Sequence, residues 1–89
     1  MLPETRISIP KDVLSQRIDD EMVVLNITTG EYFGLRAESS RAWELLQEDK
    51  DPRQVATVLA EEFDAPKERI ENDLAQFLDD LRRRHLIGS

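Results

Sequence analysis

The side chains that could carry out chemistry are few in this sequence, and their spacing does not suit catalysis. Among the 89 residues there is one histidine and no cysteine. A general base must reach a nucleophile or another polar partner. His85, however, follows three arginines at the end of a predicted helix, where an imidazole near the last carbonyls is an ordinary cap. We therefore expect no catalytic residues and predict that the protein is not an enzyme.

The paired carboxylates do not indicate an acid–base site or a metal site either. Asp79-Asp80 and Glu61-Glu62 are adjacent in the sequence, so on a helix the members of each pair point in different directions. The lack of cysteine excludes thiolate metal ligands and disulfides. The sequence also contains no phosphate-binding loop, zinc-ligand spacing or calcium loop. It therefore predicts neither a metal nor a cofactor.

Length and charge limit the partners that the protein can have. Eighty-nine residues correspond to one domain, which we expect to cover residues 1–89. The formal net charge of −7 opposes nucleic-acid binding, which draws most of its affinity from cations placed at phosphates. It suits a basic partner, or simply keeps the protein in solution. Since there is also no membrane-spanning apolar run and no signal-peptide pattern, we expect a cytoplasmic protein that binds neither nucleic acid nor membranes.

Any site must be positioned by the strands and helices that the sequence predicts. The first half of the chain has strand patterns. Residues 5–9 alternate polar and apolar side chains, residues 22–27 are rich in β-branched side chains, and residues 13–18 are a weaker candidate. Residues 31–35 form a returning strand after Thr28-Thr29-Gly30, since glycine accepts the positive φ of a tight hairpin. These segments predict a small antiparallel sheet of about three strands.

The second half has helical patterns. Residues 38–47 predict a first helix with Ser39 or Ser40 as its cap and with an apolar face made of Ala42, Trp43, Leu45 and Leu46. The second helix is better marked, because Asp51, Pro52 and Gln54 form an N-cap, a first-turn proline and a capping box.

A third helix begins near Ala65-Pro66 and keeps one apolar stripe for over three turns, made of Ile70, Leu74, Phe77, Leu78 and Leu81. Arg82, Arg83 and Arg84 lie in its last turns, where cations complement the helix dipole. We expect Leu86 and Ile87 to fold back onto the core and Gly88 to end the helix. The whole pattern predicts an α+β protein of the winged helix-turn-helix type, with a small N-terminal sheet followed by three helices.

Several short stretches of the sequence, in this order, are similar to the PqqD family. They are Val23-Val24-Leu25-Asn26, Thr29-Gly30-Glu31-Tyr32-Phe33-Gly34-Leu35, Ala42-Trp43-Glu44-Leu45-Leu46, Val55-Ala56, Leu59, Asp73-Leu74, Phe77-Leu78, Leu81 and Leu86-Ile87. The resemblance covers about residues 5–87. It implies a winged helix-turn-helix module that recognises the leader segment of a ribosomally made precursor peptide.

The resemblance also implies how such a module works and which pathway it serves. The leader adds as a strand beside the last strand of the wing, in a groove shared with the third helix, and the module presents the precursor to a modifying enzyme. The stretch from Thr29 to Leu35 looks more like the stand-alone proteins of lasso-peptide pathways, which deliver the precursor to a separate leader peptidase, than like the domain of the pyrroloquinoline quinone pathway. The implied partners are therefore a precursor leader peptide and a separate leader peptidase or other maturation enzyme.

The resemblance places the peptide-binding residues on two elements. They are Glu31, Tyr32, Phe33, Gly34 and Leu35 on the last strand, and Ile70, Asp73, Leu74 and Phe77 on the third helix. Because side chains alternate along a strand, one of Tyr32 and Phe33 can enter the core while the other faces the groove or solvent, or both can simply pack in the fold.

The apolar stripe of the third helix is larger than a small sheet can cover. We therefore assign Leu78 and Leu81 mainly to the core, and Ile70, Leu74 and Phe77 at least partly to the groove. Asp73 lies at the rim of the stripe, where it can pair with a basic leader residue or remain a solvated helix charge.

Two other functions are compatible with the fold pattern. A winged-helix DNA-binding regulator would use the second helix in the major groove, but this helix carries Arg53 against several acidic side chains. A free-standing enzyme would need the nucleophile and base that the sequence lacks. The leading hypothesis is a non-catalytic adaptor that binds a leader peptide by strand addition.

Overall fold

The computed structural model describes Leu2 and residues 6–88, which form an antiparallel sheet followed by three helices. The strands are β1 (Val13–Ile18), β2 (Glu21–Asn26) and β3 (Tyr32–Arg36), and the helices are α1 (Ala37–Gln47), α2 (Pro52–Glu62) and α3 (Lys67–Arg83). This order confirms the predicted α+β class and the three-stranded sheet. Among the described residues, no helix is both long and apolar enough to cross a bilayer.

The sheet has the order β1-β2-β3, so β2 is paired on both sides and β3 is an edge strand. Alternation along β2 directs Met22, Val24 and Asn26 towards the helices, and all three are buried. The opposite face carries Leu14, Ile18 and Tyr32, each more than half exposed. The helices therefore cover only one face of the sheet.

The strand predicted for residues 5–9 is not present in the described part of that segment. Thr5 lies outside the described residues, and residues 6–9 have no strand partner. The carbonyl of Ser8 instead accepts a hydrogen bond from the N–H of Gly88 at 2.7 Å. Ile7 and Ile9 pack against the core as partly buried side chains. Their alternation therefore reflects packing against the core beside Gly88, not pairing in the sheet.

The turn between β2 and β3 is closed by one glycine and one buried asparagine. Gly30 has φ +79 and donates its N–H to the carbonyl of Asn26 at 2.8 Å. The Asn26 side-chain oxygen accepts the N–H groups of Thr28 at 2.9 Å and Thr29 at 3.1 Å. The predicted hairpin is confirmed, and Asn26 satisfies turn donors that would otherwise depend on solvent.

The helix starts confirm one predicted cap and correct another. Asp51 accepts from the N–H of Gln54, and Gln54 returns a bond to the N–H of Asp51, so α2 has the predicted capping box. The cap of α1 is Arg36, without a side-chain bond, and not Ser39 or Ser40. Ser40 is instead buried inside α1 and accepts a hydrogen bond from Arg17 at 3.3 Å.

Two positions after the last residue of each helix, the backbone is left-handed, at Asp49, Asp64 and His85. After α3, the N–H of Leu86 bonds the carbonyl of Leu81 and the N–H of His85 bonds the carbonyl of Arg82. This is the Schellman pattern, with His85 in the position that usually holds glycine. The helix therefore ends at Arg83, and the expected stop at Gly88 is wrong. Leu86 and Ile87 do fold back and are buried, as predicted.

The hydrophobic core lies between the sheet and the helices. Trp43 of α1 is fully buried at its centre, and α1 packs against β2 and β3 while α2 and α3 pack against α1 and each other. The indole Nε1 has no hydrogen-bond partner among the described residues. As the only tryptophan in the sequence, Trp43 is a natural reporter of unfolding.

Candidate functional site

The free edge of β3 presents backbone groups that do not pair within the sheet. The N–H of Asn26 bonds the carbonyl of Glu31 at 2.9 Å, which fixes the alternation of the β2–β3 ladder. In this alternation Phe33 and Leu35 bond to β2, whereas the N–H and C=O of Tyr32 and Gly34 point away from the sheet. An unpaired edge of this kind can accept an additional strand.

The second wall of the site is α3. The rings of Phe33 on β3 and Phe77 on α3 lie 6.2 Å apart between centroids and are tilted by 47°. The guanidinium of Arg84 lies 4.5 Å from the centre of the Phe33 ring. Ile70, Phe77 and Arg84 are seven residues apart, so they lie on the same face of the helix. We call the space between β3 and this face the groove.

One end of the groove is closed by contacts between the start of β3 and the end of α3. Arg84 Nη1 donates to the carbonyl of Tyr32 at 3.3 Å. The Nδ1 of His85 lies 2.6 Å from Glu31 Oε1, and this hydrogen bond is the main cause that lowers the pKa of Glu31. Asn26 Nδ2 donates to the carbonyl of His85 at 2.6 Å. The β2–β3 turn is thus tied to the last turn of α3.

A small cavity of about 40 Å³ lies next to the groove, on the other side of Phe77. It lies between the start of α1, the end of α2 and the first half of α3, and it is lined by Glu38, Ser39, Ala42, Leu59, Ile70, Asp73, Leu74 and Phe77. Arg69 makes ion pairs with Glu38 at 2.8 Å and with Asp73 at 3.5 Å. The cavity is therefore apolar inside and charged at its rim.

The predicted residues of β3 occupy three different environments. Tyr32 is 67% exposed and faces away from the helices, whereas Phe33 is half-buried and faces the groove. The alternation argument therefore holds, with Phe33 as the groove residue. At Gly34, no atom lies within 4 Å of the position that a Cβ would occupy. Leu35 is buried in the core, so it can offer a peptide only its backbone.

The predicted residues of α3 are brought together, but they are more buried than expected. Ile70, Leu74 and Phe77 are 1%, 3% and 8% exposed, respectively. The expectation that the fold leaves part of this stripe uncovered is wrong, because α1 and α2 cover what the small sheet does not. All three still line the cavity. Leu78 and Leu81 are core residues as predicted, and Asp73 is an exposed ion-pair partner of Arg69.

Other residues at the groove were not singled out as site residues from the sequence. Arg84 and His85 were interpreted as cations and caps at a helix end, although Arg84 continues the Ile70–Phe77 spacing by seven residues. Glu38, Ala42 and Leu59 line the cavity from other elements, and no sequence pattern connects them to α3. No cluster of His, Asp or Glu that could hold a metal occurs in Leu2 or residues 6–88.

Comparison with known proteins identifies one matching protein family and two similar solved structures. The sequence profile of the family described as coenzyme PQQ synthesis protein D (PqqD) matches residues 21–87. One similar structure is that of TbiB1 in complex with the TbiA(beta) leader peptide. Its sequence is 39% identical to this one, and the two structures superpose with a TM-score of 0.86 over 92% of this chain and 95% of that chain.

A structure of lasso peptide synthetase B1 complexed with the leader peptide has the same TM-score of 0.86 at 21% identity, over 96% of this chain and 100% of that chain. At this identity the likeness supports the fold alone. Among proteins with curated descriptions, no significant match to the sequence was found. The profile covers most of the chain, including β2, β3 and all three helices that build the groove. The chain therefore belongs to the PqqD family.

Proposed function

We propose that this protein is a recognition element of lasso-peptide biosynthesis that binds the leader segment of a ribosomally made precursor peptide. The leader adds as a fourth strand to β3 and packs against α3. The observation that carries the proposal is the unpaired edge of β3 beside the groove, in a chain 39% identical to a protein whose structure contains a leader peptide. The same edge supports the predicted site residues Glu31, Tyr32, Phe33, Gly34 and Leu35.

Backbone pairing sets the position of the leader on β3. The outward N–H and C=O groups of Tyr32 and Gly34 are the partners that an antiparallel or parallel strand would use. These bonds are independent of the leader's side chains, so they fix its register without selecting its sequence. Gly34 adds no side chain that crowds the outer face of the new strand.

Side-chain recognition takes place on the helix-facing side of the added strand. Phe33 and Phe77 form an aromatic wall there, and Ile70 and Leu74 line the cavity beyond it. A cavity of about 40 Å³ holds a few water molecules but not an apolar side chain. A large apolar leader residue that binds here therefore has to widen the cavity, whose lining includes Phe77 and whose rim includes the ion pairs of Arg69 with Glu38 and Asp73.

The proposed role is that of an adaptor without catalysis. The only histidine of the sequence is engaged with Glu31, and the described residues contain no cluster of His, Asp or Glu that could hold a metal. The bound precursor is delivered to a separate leader peptidase or another maturation enzyme. Because ribosomal precursors are made in the cytoplasm, we propose that the adaptor acts there.

Residue-resolved amide exchange tests the strand addition. The leader of the precursor encoded beside this chain's gene is added to the protein, with a scrambled leader as the control. Exchange at Tyr32 and Gly34 should slow, because their N–H groups point outward, whereas Phe33 and Leu35 already bond to β2. New protection in α2 instead of β3 would place the peptide elsewhere and contradict the proposal.

A proline substitution at Gly34 tests the proposed hydrogen bond between the Gly34 N–H and the backbone of the leader. Gly34→Pro removes an outward N–H that no ladder bond of the fold uses, and proline is tolerated at sheet edges in this position. Gly34→Ala is the matched control, since it keeps the N–H and its Cβ meets no atom within 4 Å. We expect Gly34→Pro to lower leader affinity at least about tenfold and Gly34→Ala to change it little. Equal affinities of the two variants would exclude pairing at Gly34.

A further inference from the structure

Arg84 differs from its neighbouring arginines in the groups that it meets. Arg82 pairs with Asp79 at 3.4 Å, and Arg83 pairs with Asp80 at 3.8 Å. The arginines elsewhere that also form ion pairs with Asp or Glu are Arg6, Arg17, Arg36, Arg41 and Arg69. In the part of the chain that the structure describes, no carboxylate lies within ion-pair distance of Arg84, whose guanidinium contacts the Tyr32 carbonyl and the Phe33 ring.

The nearby carboxylates of the protein are already committed to other partners. Glu31 is held by His85 at 2.6 Å, and Asp80 is paired with Arg83. In a chain with a net charge of −7, Arg84 lies beside the groove without an ion pair among the described residues, since Glu31, whose pKa its charge helps to lower, bonds to His85. Its planar guanidinium has several N–H donors, of which one bonds the Tyr32 carbonyl.

We propose that Arg84 is a carboxylate-binding subsite of the groove and selects leaders with an Asp or Glu side chain at one position. The inference rests on the proposed function, because it concerns the peptide that binds along β3. A strand added to β3 donates an N–H to the Tyr32 carbonyl and so competes with Arg84 for this acceptor. The released guanidinium remains on the Phe33 ring, with its donors directed at the bound peptide.

The exchange of partners favours an acidic leader residue. A hydrogen bond between a guanidinium and a carboxylate is about twice as strong as one to a neutral group, and it can be bidentate. A leader with a neutral side chain there would leave Arg84 without the bond it had to the Tyr32 carbonyl. The groove should therefore bind a leader with an acidic residue at this position more tightly than a leader with any other residue there.

The geometry also gives the spacing of this acidic residue within the leader. Arg84 lies beside Phe33, on the helix-facing side of β3, and the cavity lies next to the groove on the same side. Side chains on one face of a strand are two residues apart. The acidic residue should therefore be separated from the apolar residues that enter the groove by an even number of positions.

Selection from a display library of random 12-residue peptides tests the proposal without knowledge of the natural leader. The peptides are linked through their C-termini, so an enriched carboxylate can come only from Asp or Glu. Selections are run on the wild type, R84Q and R84E, with R83Q as the matched control because Arg83 is exposed and pairs with Asp80. Unfolding of each variant is measured in parallel to confirm that it is folded.

The wild type and R83Q should enrich apolar residues together with one acidic residue at an even spacing. R84Q should keep the apolar residues and lose the acidic preference, and R84E should prefer Lys or Arg at that position. Replacing the acidic residue of a selected peptide by its amide should weaken binding to the wild type roughly tenfold and leave binding to R84Q unchanged.

Four results would overturn the inference, and they differ in what else they refute. An apolar consensus without an acidic position, or an acidic position that R84Q retains, refutes the subsite but leaves leader binding in place. Tighter binding of every peptide by R84Q would mean that Arg84 only shields the edge of β3. The absence of any consensus would refute the proposed function, and the subsite with it.

Discussion

Asn26 holds the β2–β3 turn against the end of α3, and its removal should loosen both. It is 4% exposed, and its side chain makes three hydrogen bonds, two to the turn and one to the carbonyl of His85. Asn26→Ala removes all three without changing the backbone. The groove end that contains Arg84 and Glu31 depends on this attachment, so the variant tests whether the groove is preformed.

The size of the effect follows from the partners that the substitution leaves behind. A typical hydrogen bond contributes about 1 kcal/mol net, and a partner left buried and unsatisfied costs more. Thr28, Thr29 and His85 are exposed residues, so water can replace part of each lost bond. We therefore expect a loss of about 2–3 kcal/mol in the free energy of unfolding, which is a drop of roughly 10–20 °C in Tm for a domain of this size.

Urea unfolding followed by the fluorescence of Trp43 measures this loss directly. Asn26→Asp is the informative companion, because it keeps both acceptor bonds to the turn but sets a carboxylate against the His85 carbonyl. Its stability should be low at neutral pH and recover partly in acid, where the neutral carboxyl group can donate. A loss below about 0.5 kcal/mol for Asn26→Ala would show that the packing of Leu86 and Ile87 alone holds the two elements together.

Phe77→Ala should weaken leader binding by roughly 1–3 kcal/mol and destabilise the fold by roughly 3–5 kcal/mol. Leu78→Ala is its control, since Leu78 is equally a core residue but does not line the cavity. Both affinities are measured by calorimetry well below the melting temperatures of the two variants. Equal losses of affinity would exclude Phe77 as an anchor. The depressed pKa of Glu31 means that its stabilising effect is present above its ordinary value of 4.5 and is lost as the pH falls through the folded-state pKa. Glu31→Gln should flatten this part of the acid-unfolding curve, and an identical curve would refute the link to His85. We also expect no retardation of random duplex DNA at physiological salt, because α2 sets few cations against Glu61 and Glu62; a micromolar, salt-sensitive shift would contradict this.

The parts of the fold that follow from local chemistry were predictable from the sequence. The capping box of α2 needs only three residues, Asp51, Pro52 and Gln54, and the structure contains it as predicted. The β2–β3 hairpin follows from β-branched residues on one side of Gly30 and aromatic residues on the other. These signals are strong because each depends on neighbours within a few positions.

The predictions that failed depend on distant contacts. The alternation at residues 6–9 indicates a strand, but in the structure this segment bonds to Gly88, near the other end of the sequence, and not to the sheet. The end of α3 was expected at Gly88 because glycine is the usual left-handed residue after a helix. His85 takes that conformation because Leu86 is buried directly after it and Asn26 holds its carbonyl.

The candidate site was predictable in its elements but not in its surfaces. Strand order decides which edge of β3 pairs with β2 and which edge remains free, and no local pattern in residues 31–35 contains that information. Likewise, Ile70, Leu74 and Phe77 share a stripe in the sequence, but their burial depends on how α1 and α2 cover them. A stripe that is wider than its sheet can still be entirely a core stripe when other helices are available.

Arg84 shows which additional spacing carries information about the groove. Three consecutive arginines near a helix end look equivalent, and the helix dipole accounts for all of them. In the fold they project in three directions, since successive helical residues are rotated by about 100°. Only Arg84 lies seven residues beyond Phe77 and fourteen beyond Ile70, and only it reaches β3. A charge that continues an apolar stripe at heptad spacing is therefore directed at whatever the stripe packs against. In this chain Phe77 packs against Phe33, and Arg84 reaches the free edge of the same strand, where we propose that the leader binds.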